Sequence, residues 1–341
     1  MEELKRLVLN QETEEDQVVS LSLRPGRLDD FVGQPELVKG LKVAISAAQK
    51  RGEPLEHTLF SGPPGLGKTS LAHIIANEMN CRITVTSGPA IDRAGDFIGI
   101  LTNLEKGDVL FIDEIHRLSK TVEEFLYPAM ENFKIDFIVD KGPYAKTINF
   151  NLKPFTLIGA TTRSGLLTTP LRDRFGIFYH LEFYGENDLS CIVSTSAGKL
   201  NVQVDNDACL AMARRARGTP RIANRLLRRC RDWAQVNSNK NHIDLKVVDE
   251  AMRALRIDAQ GLDELDRRLL MVMKTQYNNG PVGIEALSAT LNEEVDTIED
   301  VIEPYLLKAG FLRRTSRGRE LTSMAIEHLS ALKGAIKQPL G

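Results

Sequence analysis

The sequence predicts an α/β protein with three domains: a domain built on a mainly parallel sheet at 1–184, a small helical domain at 185–256 and a winged helix at 257–341. Three observations predict this organisation. Strand-like and helix-like segments alternate up to about residue 184, which is typical of a parallel sheet covered by helices. Strand signals then disappear between Glu186 and about Leu255. The last segment has three helix-like stretches followed by a glycine-centred hairpin, the order found in a winged helix.

In the first domain, continuous apolar runs predict buried strands, and the stretches between them suit helices. The predicted strands are 58–61, 82–87, 109–114, 155–162 and 177–183, and helices are predicted from Lys68, at 121–131 and near Pro170. Two alternating segments, 134–139 and 146–150, predict a protruding β-hairpin. Its apolar face would comprise Ile135, Phe137, Ile148 and Phe150. That face is either a docking surface or a packed insertion, and the sequence favours neither.

The rest of the chain is predicted to be mostly helical. Helices are expected at 188–200, 207–217, 221–236 and 245–254, and, after an acidic connector, at 265–277, 284–291 and 297–309. The hairpin that follows, 311–321, carries Arg313, Arg314, Arg317 and Arg319. Four arginines at one turn favour contact with nucleic acid. The alternative is a winged helix that binds protein and whose arginines form a solvated face.

The composition is that of an ordinary soluble globular protein, with 42% hydrophobic and 26% charged residues. The net charge is −2, so contact with nucleic acid requires local basic patches. The four cysteines are widely spaced and form no C-x-x-C pair, which argues against structural disulfides or zinc. The sequence shows neither an apolar signal core nor a run of membrane-spanning length, and a cytoplasmic location is expected.

The segment Gly62–Thr69 fits the phosphate-binding pattern G-x-x-x-x-G-K-[ST] at every defined position. It lies between a strand-like and a helix-like run, which is the context that this loop requires. Glycines such as Gly65 and Gly67 allow successive backbone N–H groups to face one anion at the start of a helix. Lys68 can then reach the terminal phosphates of ATP, and the Thr69 hydroxyl can ligate Mg²⁺.

A second motif is the apolar run 109–112, which ends in Asp113 and Glu114. The carboxyl ends of parallel strands are where such folds bind their ligands. Asp113 can orient Mg²⁺ through its water shell, and Glu114 can polarise the water that attacks the γ-phosphate. Together the two motifs predict an enzyme that hydrolyses a nucleoside triphosphate.

Four further residues are candidates for the same site. Thr162 ends the strand at 155–162 and could hold the attacking water or a phosphate oxygen. Arg174, with Arg172, lies near a short helix and could stabilise charge on a transferring phosphoryl group from outside the loop. Either arginine could instead form an ordinary ion pair with Asp173 or a neighbouring acid. Arg221 falls in the first turn of a helix, after Gly218-Thr-Pro220, where it could reach a nucleotide.

These motifs resemble those of AAA+ ATPases. Longer strings, among them Ile-Gly-Ala-Thr-Thr-Arg163 and Leu-Tyr-Pro-Ala-Met-Glu131, are similar to the branch of that family that drives branch migration of Holliday junctions in bacterial recombination and repair. The resemblance extends over nearly the whole chain. It implies a homohexamer that encircles duplex DNA and uses ATP and Mg²⁺. It also implies two partners: RuvA, bound through the hairpin 134–150, and the resolvase RuvC.

The resemblance also implies roles for individual residues. Thr162 would be a sensor, Arg174 a finger that acts in the neighbouring subunit, and Arg221 a second sensor. The other implied contacts are Leu23, Arg24 and Tyr184 around the adenine, Ser70 beside Thr69, Glu131, Asn132 and Phe133 close to the nucleotide, and Arg314 and Arg319 on DNA. The sequence departs from the family pattern at Ser70, Asn132 and Val295. At Val295 an arginine is expected among the residues that contact DNA.

Two other functions keep the ATPase site but change its use. The first is a clamp-loader-like or protein-remodelling machine, in which the last domain binds protein. A protein unfoldase usually has an aromatic-glycine pore loop, and the stretch 88–108 has no obvious one. The second is a nucleotide-gated scaffold without hydrolysis, which conflicts with the presence of Glu114. Salt-dependent binding to DNA would separate the motor from both, because phosphate contacts release counterions.

Overall fold

The structure is a computed structural model that describes residues 21–139, 146–237 and 241–335. It divides into two compact units. One comprises Arg24–Phe183, and the other comprises the chain from Tyr184 onward together with the segment that ends at Leu23. None of the helices in the described ranges is both long and apolar enough to cross a membrane.

The first unit is built on a five-stranded parallel sheet with the strand order β2-β3-β6-β1-β7. The strands are β1 (Thr58–Ser61), β2 (Ile83–Ser87), β3 (Val109–Asp113), β6 (Thr156–Thr161) and β7 (Ile177–His180). All residues of β1 and β6 and the first four of β3 are buried, which explains their continuous apolar character. The prediction of a mainly parallel sheet is confirmed.

Five α-helices belong to the same unit: α1 (Pro35–Arg51), α2 (Lys68–Glu78), α3 (Ala94–Thr102), α4 (Lys120–Asn132) and α5 (Thr169–Arg172). The helices α1 and α3 were not predicted. Helix α1 begins with Pro35 in its first turn and ends at Gly52, whose φ of 68° suits glycine. Its apolar residues Leu37, Leu41 and Ile45 are buried at helical spacing.

The predicted hairpin is confirmed as β4 (Lys134–Val139) paired antiparallel with β5 (Lys146–Asn151). Ile135 lies opposite Phe150 in the register. Ile135 is fully buried in the core of the domain, whereas Phe150 is 37% exposed. The predicted apolar face is therefore packed at Ile135 and open at Phe150. The side chains of Phe137 and Ile148 and the turn 140–145 lie outside the described residues.

The second unit begins with four helices: α6 (Glu186–Lys199), α7 (Asn206–Arg215), α8 (Pro220–Asn237) and α9 (Leu245–Ala254). The predicted small helical domain is confirmed, with one addition that was not predicted. A short parallel pair joins β8 (Gln203–Val204) to β9 (His242–Ile243). Strands of two residues are too short to show an alternating pattern, so the sequence carried no signal for them.

The winged helix follows in the same unit. Its elements are α10 (Glu264–Gln276), α11 (Ile284–Leu291), α12 at 295–308, β10 (Leu312–Thr315), β11 (Gly318–Leu321) and a final helix, α13 (Ser323–Ala335), which was not predicted. Helix α12 contains a π-helical turn at Ile298–Ile302, just before Pro304. A proline inside a helix has no N–H to donate, and the widened turn accommodates it. Buried leucines and Phe311 form the core of this domain.

A third segment completes the wing. Val282 pairs with Arg319 through two backbone hydrogen bonds, of 2.9 and 2.8 Å. Gly318 permits this close approach, because a Cβ atom there would lie 2.4 Å from the Val282 carbonyl oxygen and its φ is 133°. We therefore expect any larger residue at position 318 to push the wing away from Val282.

Candidate nucleotide and DNA sites

The phosphate-binding loop has the backbone shape that its glycines predict. Gly62, Gly65 and Gly67 have φ angles of 137°, 80° and 103°, which only glycine adopts readily. At Gly62 a Cβ atom would lie 2.5 Å from the carbonyl oxygen of Leu181. Helix α2 begins directly after Gly67, so Thr69 and Ser70 stand in its first turn. The loop therefore ends at a helix N-terminus, the arrangement that binds phosphate.

Lys68 is the buried cation of this loop, with only 6% of its surface exposed. Its Nζ donates hydrogen bonds to the carbonyl oxygens of Gly62 and Pro63, at 2.7 and 2.9 Å. Burial lowers the pKa of Lys68, and the nearby carboxylates of Asp113 and Glu114 oppose that effect. The ammonium group is thus held against the loop, within the field of both acids.

The topology brings the second motif to the same edge of the sheet. Strand β6 lies between β3 and β1, so Asp113, Thr162 and the phosphate loop all follow the carboxyl ends of adjacent strands. Asp113 accepts a hydrogen bond through Oδ1 from the backbone N–H of Glu114, at 3.0 Å. The Asp113 carboxylate and the Thr69 hydroxyl are hard oxygen ligands, which is the donor type that Mg²⁺ prefers.

Glu114 is held in place by two neighbours. Its backbone is left-handed, with φ and ψ both 47°, which turns the chain sharply after β3. The Thr162 hydroxyl donates a hydrogen bond to Glu114 Oε2 at 3.1 Å. The Nδ1 atom of His116 lies 3.3 Å from the same oxygen and 2.9 Å from the Thr161 hydroxyl. Thr162 and His116 thus fix the carboxylate, and Thr161 at the end of β6 contacts the histidine.

Arg174 is in contact with helix α4. Its Nη2 lies 2.9 Å from Glu131 Oε1, and its Nη1 donates to the carbonyl oxygen of Pro170. Its guanidinium carbon lies 4.3 Å from the centre of the Tyr127 ring, which is cation–π geometry. Glu123, Tyr127 and Glu131 are spaced four residues apart and so share one face of α4. The structure therefore brings two predicted site residues, Arg174 and Glu131, together.

The other predicted nucleotide contacts are more dispersed. Arg24 belongs to the first unit, and its charge helps to lower the pKa of His73 on α2, after the larger effect of burial. Asn132 ends α4, and the ring of Phe133 packs 5.8 Å from that of Phe155. Leu23, Tyr184 and Arg221 belong to the second unit, with Arg221 in the first turn of α8 as predicted. The roles of all six in nucleotide binding stay predictions.

The wing arginines differ in their surroundings. Arg314 donates to both carboxylate oxygens of Glu303, each at 2.8 Å, and Arg319 donates to Glu303 at 3.0 Å and to Glu299 at 2.9 Å. The Arg314 side chain is 54% exposed, the Arg319 side chain only 14% and the Glu303 side chain 1%. Burial raises the pKa of Glu303, but hydrogen bonds and charge from both arginines outweigh it, so the pKa is lowered.

Acidic residues dominate α11 and α12, the two helices directly before the wing. The chain has no lysine, arginine or histidine between Lys274 and Lys308, and it has seven acids there: Glu285, Glu293, Glu294, Asp296, Glu299, Asp300 and Glu303. Val295, where an arginine was expected, lies within this stretch. The wing carries exposed arginines, with Arg313 68% exposed and Arg317 exposed at the turn, and Arg268 is exposed on α10.

Three family models match consecutive parts of the chain. The model described as "Holliday junction DNA helicase RuvB P-loop domain" matches residues 23–181, the "RuvB AAA lid domain" matches 184–258 and the "RuvB C-terminal winged helix domain" matches 259–330. The chain belongs to the RuvB family. This confirms the predicted resemblance and the predicted fold class, a P-loop domain with a parallel sheet followed by a lid and a winged helix.

Solved structures of RuvB resemble the chain closely. A lysine-to-arginine mutant of RuvB from Thermotoga maritima is 51% identical, with a TM-score of 0.84, and the match covers 90% of this chain and 98% of that chain. A Thermotoga maritima RuvB structure described as a Holliday junction branch migration motor is 50% identical, with a TM-score of 0.84 and coverage of 91% and 98%.

Sequence reasoning missed three side chains in these RuvB-family sites. They are His116 beside Glu114, Tyr127 beneath Arg174, and Glu303 between the wing arginines. Tyr127 had a detectable signal, because it lies four residues from both Glu123 and Glu131 on one helix face. His116 lies two positions after Glu114, but its contact with Thr161 comes from another strand, and the partners of Glu303 come from beyond a turn.

Proposed function

We propose that this protein is an ATP-driven motor that moves Holliday junctions by branch migration on duplex DNA, together with RuvA, in recombination and repair. The observation that supports the proposal is the juxtaposition of Lys68, Asp113 and Glu114 at the phosphate loop, in a chain that matches RuvB models from residue 23 to 330. In that site Glu114 is fixed by Thr162 next to the phosphate loop. A nucleotide-gated scaffold would not need this carboxylate.

The residues divide the chemistry between them. The backbone N–H groups of the loop and the Lys68 ammonium would bind the phosphates of ATP. Thr69, and Asp113 through water, would hold Mg²⁺, which when bound neutralises charge on the β- and γ-phosphates. Glu114 would accept a proton from the attacking water, and Thr162 and His116 orient the Glu114 carboxylate.

The ring and its trans-acting residues are part of the same proposal. A homohexamer would place Arg174 of one subunit at the nucleotide of its neighbour. Glu131 and Tyr127 hold the guanidinium of Arg174 at the surface of α4. This fixed position supports a role in which Arg174 reaches the nucleotide of a neighbouring subunit. Leu23, Arg24 and Tyr184 would contact the adenine, and Arg221 would act as a second sensor. The protein would be cytoplasmic and associate with RuvC, and its domains would span 1–184, 185–256 and 257–341.

The wing is proposed as the DNA contact. Positive side chains are exposed on it, whereas the charged residues of the stretch 275–307, directly before it, are all acids, which phosphates repel. Arg314 keeps more than half of its side chain exposed while it contacts Glu303, so it can bind a phosphate as well. Arg319 would have to leave Glu303 and Glu299, at least in part, to do so.

A four-way junction assay tests the proposed function. A synthetic Holliday junction with homologous arms, mixed with this protein, RuvA, ATP and Mg²⁺, should be converted to two duplexes. The same mixture with a non-hydrolysable ATP analogue should leave the junction intact. If ATP is hydrolysed with RuvA and junction DNA present but no junction moves, the clamp-loader-like or protein-remodelling alternative takes precedence.

Replacing Ile148 and Phe150 by serine should weaken binding to RuvA and its stimulation of ATPase activity, while basal ATPase stays within about twofold. The reason is that the hairpin lies outside the phosphate site and that Phe150 is an exposed apolar residue. A pull-down with RuvA measures the binding. The matched control is Val236→Ser, since Val236 is 76% exposed on the lid helix α8. Unchanged RuvA binding in the hairpin variant would leave the hairpin with a packing role only.

Replacing Arg314 and Arg319 by alanine should weaken binding to duplex DNA equally on unrelated sequences and lower the salt slope by about one to two. Because that change leaves the buried Glu303 without its two partners, the same variant with Glu303→Gln separates DNA binding from folding. Arg313→Ala with Arg317→Ala tests the two outermost arginines. Duplex affinity and salt dependence equal to those of the parent in all three variants would return the domain to a protein-binding role.

A further inference from the structure

Arg217 links the lid to the winged helix. It follows α7, has a positive φ of 56°, and precedes the turn Gly218-Thr219-Pro220 that leads to Arg221 on α8. Its side chain is 8% exposed. A buried arginine in a left-handed backbone conformation is unusual, so its contacts show what the position requires.

The guanidinium of Arg217 contacts the connector and the first turn of α10. Its Nε donates to the carbonyl oxygen of Gly261 at 2.8 Å. Its Nη2 lies 2.7 Å from Asp263 Oδ2 and 2.6 Å from Asp266 Oδ2. Asp263 is the N-cap of α10, and Asp266 completes the capping box by accepting from the Asp263 N–H at 2.9 Å. One lid side chain therefore binds both acids that begin the winged helix.

Two more contacts close this junction. Gly261 has a φ of 74°, and a Cβ atom there would lie 2.6 Å from the Arg215 carbonyl oxygen, so the connector backbone is pressed against the end of α7. The guanidinium carbon of Arg217 lies 5.7 Å from the centre of the Tyr305 ring, and the Tyr305 hydroxyl donates to the Gln260 carbonyl oxygen at 2.6 Å. Tyr305 belongs to α12, two residues after Glu303, the acid that holds the wing.

The electrostatics make Arg217 hard to replace. Asp266 is fully buried, and burial raises its pKa to about 7, although the charge of Arg217 opposes this. Burial also raises the pKa of Asp263, but the charge of Arg217 and the backbone hydrogen bonds outweigh burial, so the pKa of Asp263 is lowered. Two carboxylates share one guanidinium, so its removal would leave buried charge uncompensated. Another cation with different geometry would compensate for charge but not for position.

We propose that Arg217 is a positioning residue that fastens the winged helix to the lid, so that the DNA-binding wing follows the turn that carries Arg221. The inference rests on the proposed function for its biological meaning. Arg221 lies only four positions after Arg217. A change in that turn on nucleotide binding would therefore be passed through the guanidinium to α10, and through Tyr305 to α12 and the wing.

The first experiment measures position directly. One spin label is attached to the exposed Cys191 of the lid and a second to a cysteine at the wing turn (Arg317→Cys), so that the pair reports the distance between the two domains. Cys81→Ser prevents labelling at the partly exposed Cys81, and Cys209 and Cys230 are buried. A narrow distance distribution is expected, and Arg217→Lys should broaden it at least twofold. The lysine keeps a positive charge for the carboxylates, so the domains stay folded, but it lacks the planar fork. A distribution of equal width in parent and variant would overturn the inference.

Arg256→Gln is the matched control. Arg256 crosses the same junction to Glu264 at 2.9 Å, but both side chains are more than 60% exposed, and such pairs contribute little. Its distance distribution should equal that of the parent. If Arg256→Gln broadened the distance distribution as much as Arg217→Lys does, any charge between the lid and the winged helix would matter. That result would overturn the specific role of Arg217.

The second experiment measures coupling in the four-way junction assay. Arg217→Lys should hydrolyse ATP within twofold of the parent rate, and junctions resolved per ATP hydrolysed should fall at least tenfold. An unchanged ratio would overturn the inference. The spin-label distances require no motor activity. The parent could show a narrow distance distribution that Arg217→Lys broadens and yet move no junctions. That result would support the role of Arg217 in positioning the winged helix and contradict the proposed function.

Discussion

Replacing Glu114 by glutamine is expected to lower ATP turnover by about 10²–10⁴-fold and to leave ATP affinity close to that of the parent. The glutamine amide oxygen can still accept the hydrogen bond that the Thr162 hydroxyl now donates to Glu114 Oε2. The shape of the site is therefore kept, and only the group that can take a proton from water is lost. Turnover is measured by phosphate release, and binding by a fluorescent ATP analogue.

The comparison variant for this prediction is Lys68→Ala. The Lys68 ammonium sits within the phosphate loop on two carbonyl oxygens, so its loss should abolish ATP binding rather than turnover alone. Glu124→Gln, a change to an exposed acid of α4, controls for loss of charge. If Glu114→Gln hydrolyses ATP at the parental rate, the role assigned to that carboxylate is wrong.

Arg174→Ala should bind ATP in its own loop and yet lose about 10³-fold or more of its turnover, as expected for the loss of an arginine finger. The physical reason is that the finger serves the nucleotide of the neighbouring subunit. Mixing Arg174→Ala with Lys68→Ala subunits in equal amounts should restore about a quarter of the sites, those in which an intact loop meets an intact finger. ATP turnover of the mixture, titrated over the ratio of the two variants, measures this.

Two variants separate the finger from its support on α4. Glu131→Gln removes the ion pair with Arg174, and Tyr127→Phe removes the Tyr127 hydroxyl that donates to Glu123 but keeps the ring beneath the guanidinium. Tyr127→Phe should leave ATP turnover within about twofold of the parent, because the cation–π contact depends on the ring.

In the mixing experiment with Arg174→Ala and Lys68→Ala, absence of recovery at every ratio, with mixed rings shown to form, would contradict the trans role.

The parts of this molecule that the sequence predicted well are those with local signals. The phosphate loop is a continuous motif between a strand and a helix, and the run before Asp113 is buried on both faces of the sheet. The helices of the lid begin within two residues of the predicted positions. Helix α1 escaped prediction although Pro35, Gly52 and the spacing of its leucines marked it, so the signal was present and unused.

Other features depend on contacts across space, which a single sequence does not show. Arg314 and Arg319 were recognised as basic residues, but their shared partner Glu303 lies eleven and sixteen positions earlier, on another element. The cluster of arginines did not reveal that one of them is largely buried. His116 likewise contacts residues that lie at the end of a different strand. Topology, rather than local pattern, determines these pairings.

The acidic stretch between Lys274 and Lys308 has a consequence for movement along DNA. A helix that carries acids is repelled from the phosphates that border the major groove, so it cannot approach closely enough to read bases. In the proposed function, the part of the domain that contacts DNA is the wing, and its contacts are charge against charge. Such contacts have nearly the same free energy at each base-pair register, because every register presents the same phosphates. The duplex then offers a smooth potential along its axis, and no particular sequence would act as a trap that stalls the protein.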